Sequence, residues 1–137
     1  MKTIIIFYSY TGHTRKIAQD MANKENAEIY EVKEKKLRNK FNAYVFGSFQ
    51  AMKQKKTDIE HIDVDLQLYD RIIIITPIWA GFPAPAINNL FEILPKGKDI
   101  EFIAVSGSGN SSGSSEKTKD KIQHIVGKTI EYTNIKA

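Results

Sequence analysis

The chain has 137 residues, no cysteine and a formal net charge of +4 at pH 7, and this length predicts one domain over residues 1–137. The absence of cysteine excludes disulfides, thiolate metal sites and a cysteine-nucleophile phosphatase, and the three scattered histidines, His13, His61 and His124, predict no metal site. No stretch reaches the ~20 apolar residues of a membrane span and the start of the chain lacks a signal-peptide cleavage pattern, so we expect a soluble, cytoplasmic protein with no membrane partner.

The first predicted element is a buried strand over residues 3–8 that ends in a hydroxyl-rich loop. Its apolar run, IIIF, has no polar alternation, which is typical of a parallel strand covered on both faces. Ser9, Thr11 and Thr14 then offer three hydroxyl groups. Gly12 lets the backbone approach a ligand closely, and the following helix directs its N–H groups to the same place. The pattern predicts a phosphate pocket without lysine, although an ordinary capped strand-to-helix turn would use the same residue types.

A helix, an outer strand and a charged region follow this loop. We predict a helix over residues 13–24, a strand over 28–32, a charged connection over 33–40, a helix over 41–53 and a linker over 57–68. The basic clusters in this region are interpreted as solvated helix ends. They do not indicate nucleic-acid binding, because no aromatic-interleaved basic surface or recognition motif accompanies them.

A second apolar strand, over residues 69–76, ends in the loop PIWAGFP. This loop holds Trp79, the only tryptophan, between a proline and a glycine. A lone tryptophan after a strand most often packs in a core, but at a ligand-facing edge the indole is well suited to stack on a planar ring. Proline at position 85 suits the first turn of a helix over residues 85–94, which Pro95 and Gly97 end.

The last predicted elements surround a third polar loop. A strand over residues 100–105 ends in SGSGNSSGSS, residues 106–115, which contains only Ser, Gly and Asn. Ser115 then caps a helix that runs to Val126, Gly127 ends it, and residues 129–133 form the last strand. Because all three loops follow strands in a βα alternation, we expect them to open on one edge of a parallel sheet.

These three loops resemble those of the flavodoxin family. The hexapeptide SYTGHT, residues 9–14, fits that family's phosphate loop [ST]-x-T-G-x-T at every position, and the other two loops stand where its second and third flavin loops occur. The resemblance implies an α/β fold with a doubly wound five-stranded parallel sheet, order 2-1-3-4-5, and helices on both faces. It also implies FMN as the cofactor and no catalytic side chain. The implied cofactor-binding residues are Ser9, Tyr10, Thr11, Gly12, His13 and Thr14 in the first loop, Pro77, Ile78, Trp79, Ala80, Gly81 and Phe82 in the second, and Ser106, Gly107, Ser108 and Gly109 in the third.

The resemblance leads to one favoured function and two alternatives. The favoured function is an FMN-binding, flavodoxin-like electron-transfer protein that shuttles electrons between redox partners. The first alternative is an FMN-dependent NAD(P)H oxidoreductase acting on a quinone-like acceptor, because the third loop has no aromatic side chain to cover the second ring face. The second alternative is a non-redox module that binds a phosphorylated ligand. The basic clusters favour an acidic redox-partner protein or a phosphorylated nicotinamide.

Overall fold

A parallel sheet forms the centre of the protein. The structure is a computed structural model that describes residues 2–110 and 114–137. Its strands are β1 (Thr3–Phe7), β2 (Glu28–Glu31), β3 (Arg71–Trp79), β4 (Phe82–Pro83), β5 (Asp99–Ser106) and β6 (Glu131–Lys136). The order β2-β1-β3-β5-β6 is parallel throughout, and only β4 pairs antiparallel, with β3. With the short β4 left out of the count, the order of the parallel strands is the predicted 2-1-3-4-5.

Helical segments connect these strands. They are α1 (His13–Glu25), α2 (Lys40–Asn42), a π-helical turn (Ala43–Gly47), α3 (Ser48–Met52), a 3-10 turn (Leu66–Leu68), α4 (Pro85–Leu90) and α5 (Ser115–Val126). Helix α1 begins at His13 as predicted, and Gly127 ends α5 in the left-handed conformation that a C-terminal glycine favours. Within the described residues, no helix is both long and apolar enough to span a bilayer.

Two apolar clusters lie on opposite faces of the sheet. Alternate residues of β1 divide between them: Ile4 belongs to one cluster and Ile5 to the other, as the two-residue period of a strand requires. Helix α1 contributes Ala18 to the Ile5 cluster. Helices α4 and α5 contribute Leu90 and Ile122 to the Ile4 cluster. This arrangement confirms a doubly wound sheet with helices on both faces.

Several predicted boundaries were wrong. Pro77, Ile78 and Trp79 lie in β3 and Phe82 lies in β4, because the predicted second loop folds into a hairpin that pairs Trp79 with Phe82. Ser106 is the last residue of β5, since its pairing with Lys136 extends that strand.

The C-terminal elements also differ from their predicted bounds. The last strand is Glu131–Lys136, in place of residues 129–133, because its register follows β5. Helix α4 ends at Leu90, four residues before the predicted end, and a turn follows in which the N–H of Ile93 donates to the backbone oxygen of Leu90 over 3.0 Å. The cap of α5 is Ser114, one residue before the predicted Ser115.

Candidate functional site

The loop between β1 and α1 presents hydroxyl and backbone donors at the carboxyl edge of the sheet. Gly12 has a φ of +104°, a backbone conformation that glycine adopts readily. Its N–H donates to Ser9 Oγ over 3.0 Å, and the N–H of His13 donates to Thr11 Oγ1 over 3.4 Å. Since both hydroxyl oxygens accept within the loop, their own hydrogens can be donated to a ligand. The first turn of α1 adds N–H groups that have no partner inside the helix.

The residues of this loop differ in exposure. Ser9 and Thr14 are buried, whereas Thr11 and His13 are exposed. The exposed hydroxyl of Thr11 is an uncharged donor, and together with the positive end of the α1 dipole it suits an oxyanion.

The second predicted loop is the tip of the β3–β4 hairpin. Ala80 and Gly81 occupy this tip with φ values of +52° and +88°. Two consecutive left-handed residues are what a two-residue type I′ hairpin turn requires. A Cβ atom added at Gly81 would lie 3.4 Å from Ser114 Oγ, so the hairpin tip meets the residue that caps α5.

The third predicted loop folds against the end of β6. The backbone oxygen of Ser106 accepts from the N–H groups of Gly109, over 3.3 Å, and Ala137, over 2.9 Å. The N–H of Asn110 donates to Ser106 Oγ over 3.1 Å. Gly107 and Ser108 are exposed at the tip. The remaining residues of this predicted loop, Ser111, Ser112 and Gly113, lie outside the described residues.

Trp79 connects the first loop with the region after β2. Its ring meets Tyr8 and Tyr10 edge-on, with centroid separations of 5.9 Å and 6.1 Å. The guanidinium carbon of Arg38 lies 5.7 Å from the indole centroid, and a Cβ atom added at Gly47 would come within 2.7 Å of Trp79 Cζ3. Part of the indole, which the sequence predicted to be a stacking surface for a ligand, is therefore covered by the protein itself.

Arg38 is the centre of a hydrogen-bond network beside Trp79. Its Nε lies 2.9 Å from Glu34 Oε2, and the two side chains are only 8% and 7% exposed. Its two terminal nitrogens donate to Asn42 Oδ1 over 2.8 Å and to Gln50 Oε1 over 2.6 Å. The interpretation of the basic clusters as solvated helix ends is therefore wrong for Arg38. The spacing of Glu34 and Arg38, four residues apart, is a sequence signal for an ion pair, but it does not reveal burial.

Two tyrosines join this network to the first loop. The hydroxyl of Tyr8 donates to Glu34, and that of Tyr10 donates to the backbone oxygen of Arg38 over 2.8 Å. Burial, followed by the hydrogen bond to Glu34, raises the pKa of Tyr8 well above its ordinary value. Tyr8 therefore stays protonated near neutral pH and remains a hydrogen-bond donor.

Hydrogen bonds fix the chain on both sides of the helical segment of residues 40–52. Glu34 forms an isolated antiparallel bridge with Ile59. The side chains of Asn88 and Asn89 donate to the backbone oxygens of Lys55, over 2.9 Å, and Thr57, over 2.7 Å. These contacts hold the helical segment of residues 40–52 over Trp79.

A cleft of about 790 Å³ opens between the first loop and the region after β2. Its lining residues are Tyr8, Ser9, Tyr10, Thr11, Arg15, Glu31, Val32, Lys33, Glu34, Lys35, Leu37, Arg38, Lys40 and Glu60. Among the described residues, the predicted second and third loops do not line this cleft. The structure thus joins the first loop to Trp79 through ring contacts and joins Gly81 to Ser114, while Ser106 and Gly109 pack towards β6.

Comparison with known proteins finds relatives over nearly the whole chain. A family model described as flavodoxin matches residues 2–136. A protein of Archaeoglobus fulgidus of undescribed function is 27% identical over 132 residues, which cover 96% of this chain and 84% of the relative.

Solved structures share the fold. A flavoprotein from Lactobacillus acidophilus in complex with FMN matches with a TM-score of 0.71 and 22% identity, over 96% of this chain and 90% of that one. An NADH:FMN oxidoreductase in its apo form matches with a TM-score of 0.57 and 18% identity, over 96% of this chain and 72% of that one.

Proposed function

Because the chain belongs to the flavodoxin family, we propose that it binds FMN at the carboxyl edge of the sheet, with the phosphate in the β1–α1 loop. The observation that carries this proposal is the donor set of that loop: hydroxyls of Ser9 and Thr11 and the N–H groups at the start of α1. Uncharged donors at a helix N-terminus suit a phosphate monoester. The fold likeness to a flavoprotein in complex with FMN supports the same cofactor.

The other two predicted loops are the proposed neighbours of the flavin ring. Trp79 offers the part of its indole that Arg38 and Gly47 leave uncovered. The backbone of Ala80 and Gly81 at the hairpin tip offers polar groups to the ring. The segment Ser106–Gly109 is its third proposed neighbour. FMN supplies the redox chemistry when bound, while these residues bind the ring, orient it and limit its contact with water.

Removing the loop hydroxyls will weaken FMN binding. We expect Ser9→Ala and Thr11→Val each to raise the Kd for FMN about tenfold, or ~1.4 kcal/mol, because each loses a donor to a charged phosphate. The measurement is quenching of flavin fluorescence as the protein is titrated into FMN. Thr129→Val, at an exposed position before β6, is the matched control and should leave the Kd unchanged.

Riboflavin, which lacks the phosphate, separates the role of the loop from general damage. The Ser9 and Thr11 variants should bind riboflavin as the parent protein does. An equal loss of affinity for riboflavin and FMN would contradict a phosphate site in this loop, and no quenching of excess FMN by the parent protein would refute the cofactor itself.

We further propose that the bound flavin carries electrons between redox proteins. Membership of the flavodoxin family supports this function. The NAD(P)H oxidoreductase acting on a quinone-like acceptor is the second candidate. It is supported by the fold likeness to an NADH:FMN oxidoreductase and by the third segment, which has no aromatic side chain over residues 106–115. An open ring face is what hydride delivery from a nicotinamide requires.

Reduced nicotinamides distinguish the two candidates. With FMN bound and oxygen excluded, we expect the visible absorbance of the oxidised flavin to persist after NADPH or NADH is added alone. A shuttle has no need of a nicotinamide site and receives its electrons from a protein. Rapid bleaching by either nicotinamide, with turnover when a soluble quinone is supplied, would instead establish the oxidoreductase.

A further inference from the structure

The helical segment of residues 40–52 has its large apolar side chains on the outside. Small residues face the protein: Ala43, Gly47 and Ala51 are buried. Seven of the ten large apolar side chains exposed in the described residues lie on the opposite side or just before it. They are Leu37, Phe41, Tyr44, Val45, Phe46, Phe49 and Met52, which we call the 37–52 face.

This pattern is the reverse of an ordinary amphipathic helix. A helix on the surface of a soluble protein places its large apolar residues against the core. Here Leu37 is 97% exposed and Tyr44 82% exposed. The rings of Phe41 and Phe46 meet edge-on at 6.5 Å, so neighbouring members of the face touch one another. A contiguous exposed apolar surface of this kind marks an interaction site.

Lysines surround the 37–52 face. Residues 33–57 contain seven lysines, at positions 33, 35, 36, 40, 53, 55 and 56, with Arg38 and a single acidic residue, Glu34. Glu34 and Arg38 neutralise each other in the buried network. Because the whole chain has a net charge of only +4, the residues outside this region are acidic on balance. The positive charge of the protein is therefore concentrated around one apolar surface.

Two of these lysines directly border the apolar side chains. The Nζ atoms of Lys53 and Lys55 lie 5.8 Å and 5.9 Å from the ring centroid of Phe49. At the other end of the segment, Lys33, Lys35 and Lys40 line the cleft next to the first loop. The basic rim is thus continuous with the candidate cofactor site.

These features favour one kind of occupant. A second copy of this chain would bring one lysine rim against another, so like charges would oppose the contact. A partner with an apolar centre and a carboxylate rim satisfies both parts of the surface. Ion pairs between exposed lysines and the carboxylates of a partner are individually weak, but they accelerate association, which suits short-lived complexes. The continuity with the cleft favours a redox protein over a lipid surface, because a partner on this face also reaches the mouth of the cleft.

We propose that an acidic electron-transfer protein docks on the 37–52 face, with its carboxylates against the lysines and its apolar centre against Phe41, Tyr44 and Phe49. The redox character of the partner rests on the proposed function, whereas the docking itself needs no flavin. The buried side of the same segment contacts Trp79 through Gly47, so the docked partner lies beside the proposed flavin site.

An NMR titration tests this proposal. The ¹⁵N-labelled chain, with and without FMN, is titrated with an acidic plant-type [2Fe–2S] ferredoxin and separately with basic cytochrome c. We expect amide shift changes in residues 36–56 with the ferredoxin only, decreasing as salt is added. Because the form without FMN is included, failure of the flavin proposal is separate from failure of docking.

Matched variants identify the surface. Phe49→Glu and the double variant Lys53→Glu with Lys55→Glu should each weaken ferredoxin binding about tenfold. Leu68→Glu, at another exposed apolar residue, and the double variant Lys96→Glu with Lys117→Glu are the controls and should retain binding. Circular dichroism checks that every variant is folded.

Each of the following results would overturn the proposal. The first is the absence of ferredoxin-induced shifts in residues 36–56, or equal binding of cytochrome c. The second is binding to phosphatidylglycerol vesicles that Phe49→Glu abolishes, which would assign the face to a lipid surface. The third is a dimer in analytical ultracentrifugation that Phe49→Glu dissociates, which would assign it to a second copy of this chain.

Discussion

Replacing Arg38 with methionine will lower the free energy of unfolding by about 3–5 kcal/mol. The substitution keeps most of the side-chain volume but removes the charge that neutralises Glu34, whose side chain is 7% exposed. It also removes the donors to Asn42 and Gln50. An uncompensated buried carboxylate is the main reason for the expected loss, since breaking a buried pair leaves the remaining charge without a partner.

Urea denaturation followed by the fluorescence of Trp79 measures this loss of stability. Trp79 is the only tryptophan, and it lies beside Arg38. Arg15→Met is the matched control, because the Arg15–Glu31 pair is more exposed and should contribute at most ~1 kcal/mol. The double variant Glu34→Gln with Arg38→Met removes both charges and keeps an acceptor for Tyr8, so it should recover most of the stability. Equal losses for Arg38→Met and Arg15→Met would show that the buried network is not a stabilising centre.

Replacing Gly47 with alanine will destabilise the protein by about 2 kcal/mol, although alanine is the better helix former. Gly47 has helical backbone angles, φ −63° and ψ −43°, so an alanine there would ordinarily gain about 1 kcal/mol. The added Cβ would lie only 2.7 Å from Trp79 Cζ3 and 3.0 Å from Cε3. Because Tyr8, Tyr10 and Arg38 also contact the indole, the ring cannot move aside without disturbing them.

Thermal and urea unfolding of Gly47→Ala, beside Ser48→Ala as a neighbouring control, measure this loss. In a Trp79→Leu background the same substitution should be neutral or stabilising, because the indole atoms that the added Cβ would clash with are absent. A Gly47→Ala variant that is more stable than the parent protein would mean that the helical segment does not rest on Trp79.

The elements that the sequence predicted correctly are those with a strong local signal. The unbroken apolar run of β1 predicted a strand covered on both faces, and each of Ile4, Ile5 and Ile6 is at most 1% exposed. Helix α1 begins at the predicted His13 because Gly12 provides the turn before it. The order of the parallel strands came from the family resemblance.

The second predicted loop shows where local signals fail. Proline and glycine around Trp79 indicated a loop, yet Pro77, Ile78 and Trp79 continue β3. Hydrophobic periodicity could not predict the reason: Ala80 and Gly81 form a tight turn, after which β4 pairs antiparallel with β3. Pairing across that turn determines where β3 ends.

The sequence by itself determined that five parallel strands exist and that a hydroxyl-rich loop precedes α1, because apolar runs and small turn residues act within a few positions of the chain. Only the tertiary structure decided that Arg38 is buried and that Phe49 faces outward. Both residues lie in one lysine-rich stretch, and its composition does not say which side will be covered. That choice depends on Trp79, distant in sequence, which Gly47 approaches so closely that an added Cβ atom would lie 2.7 Å from Cζ3 of the indole.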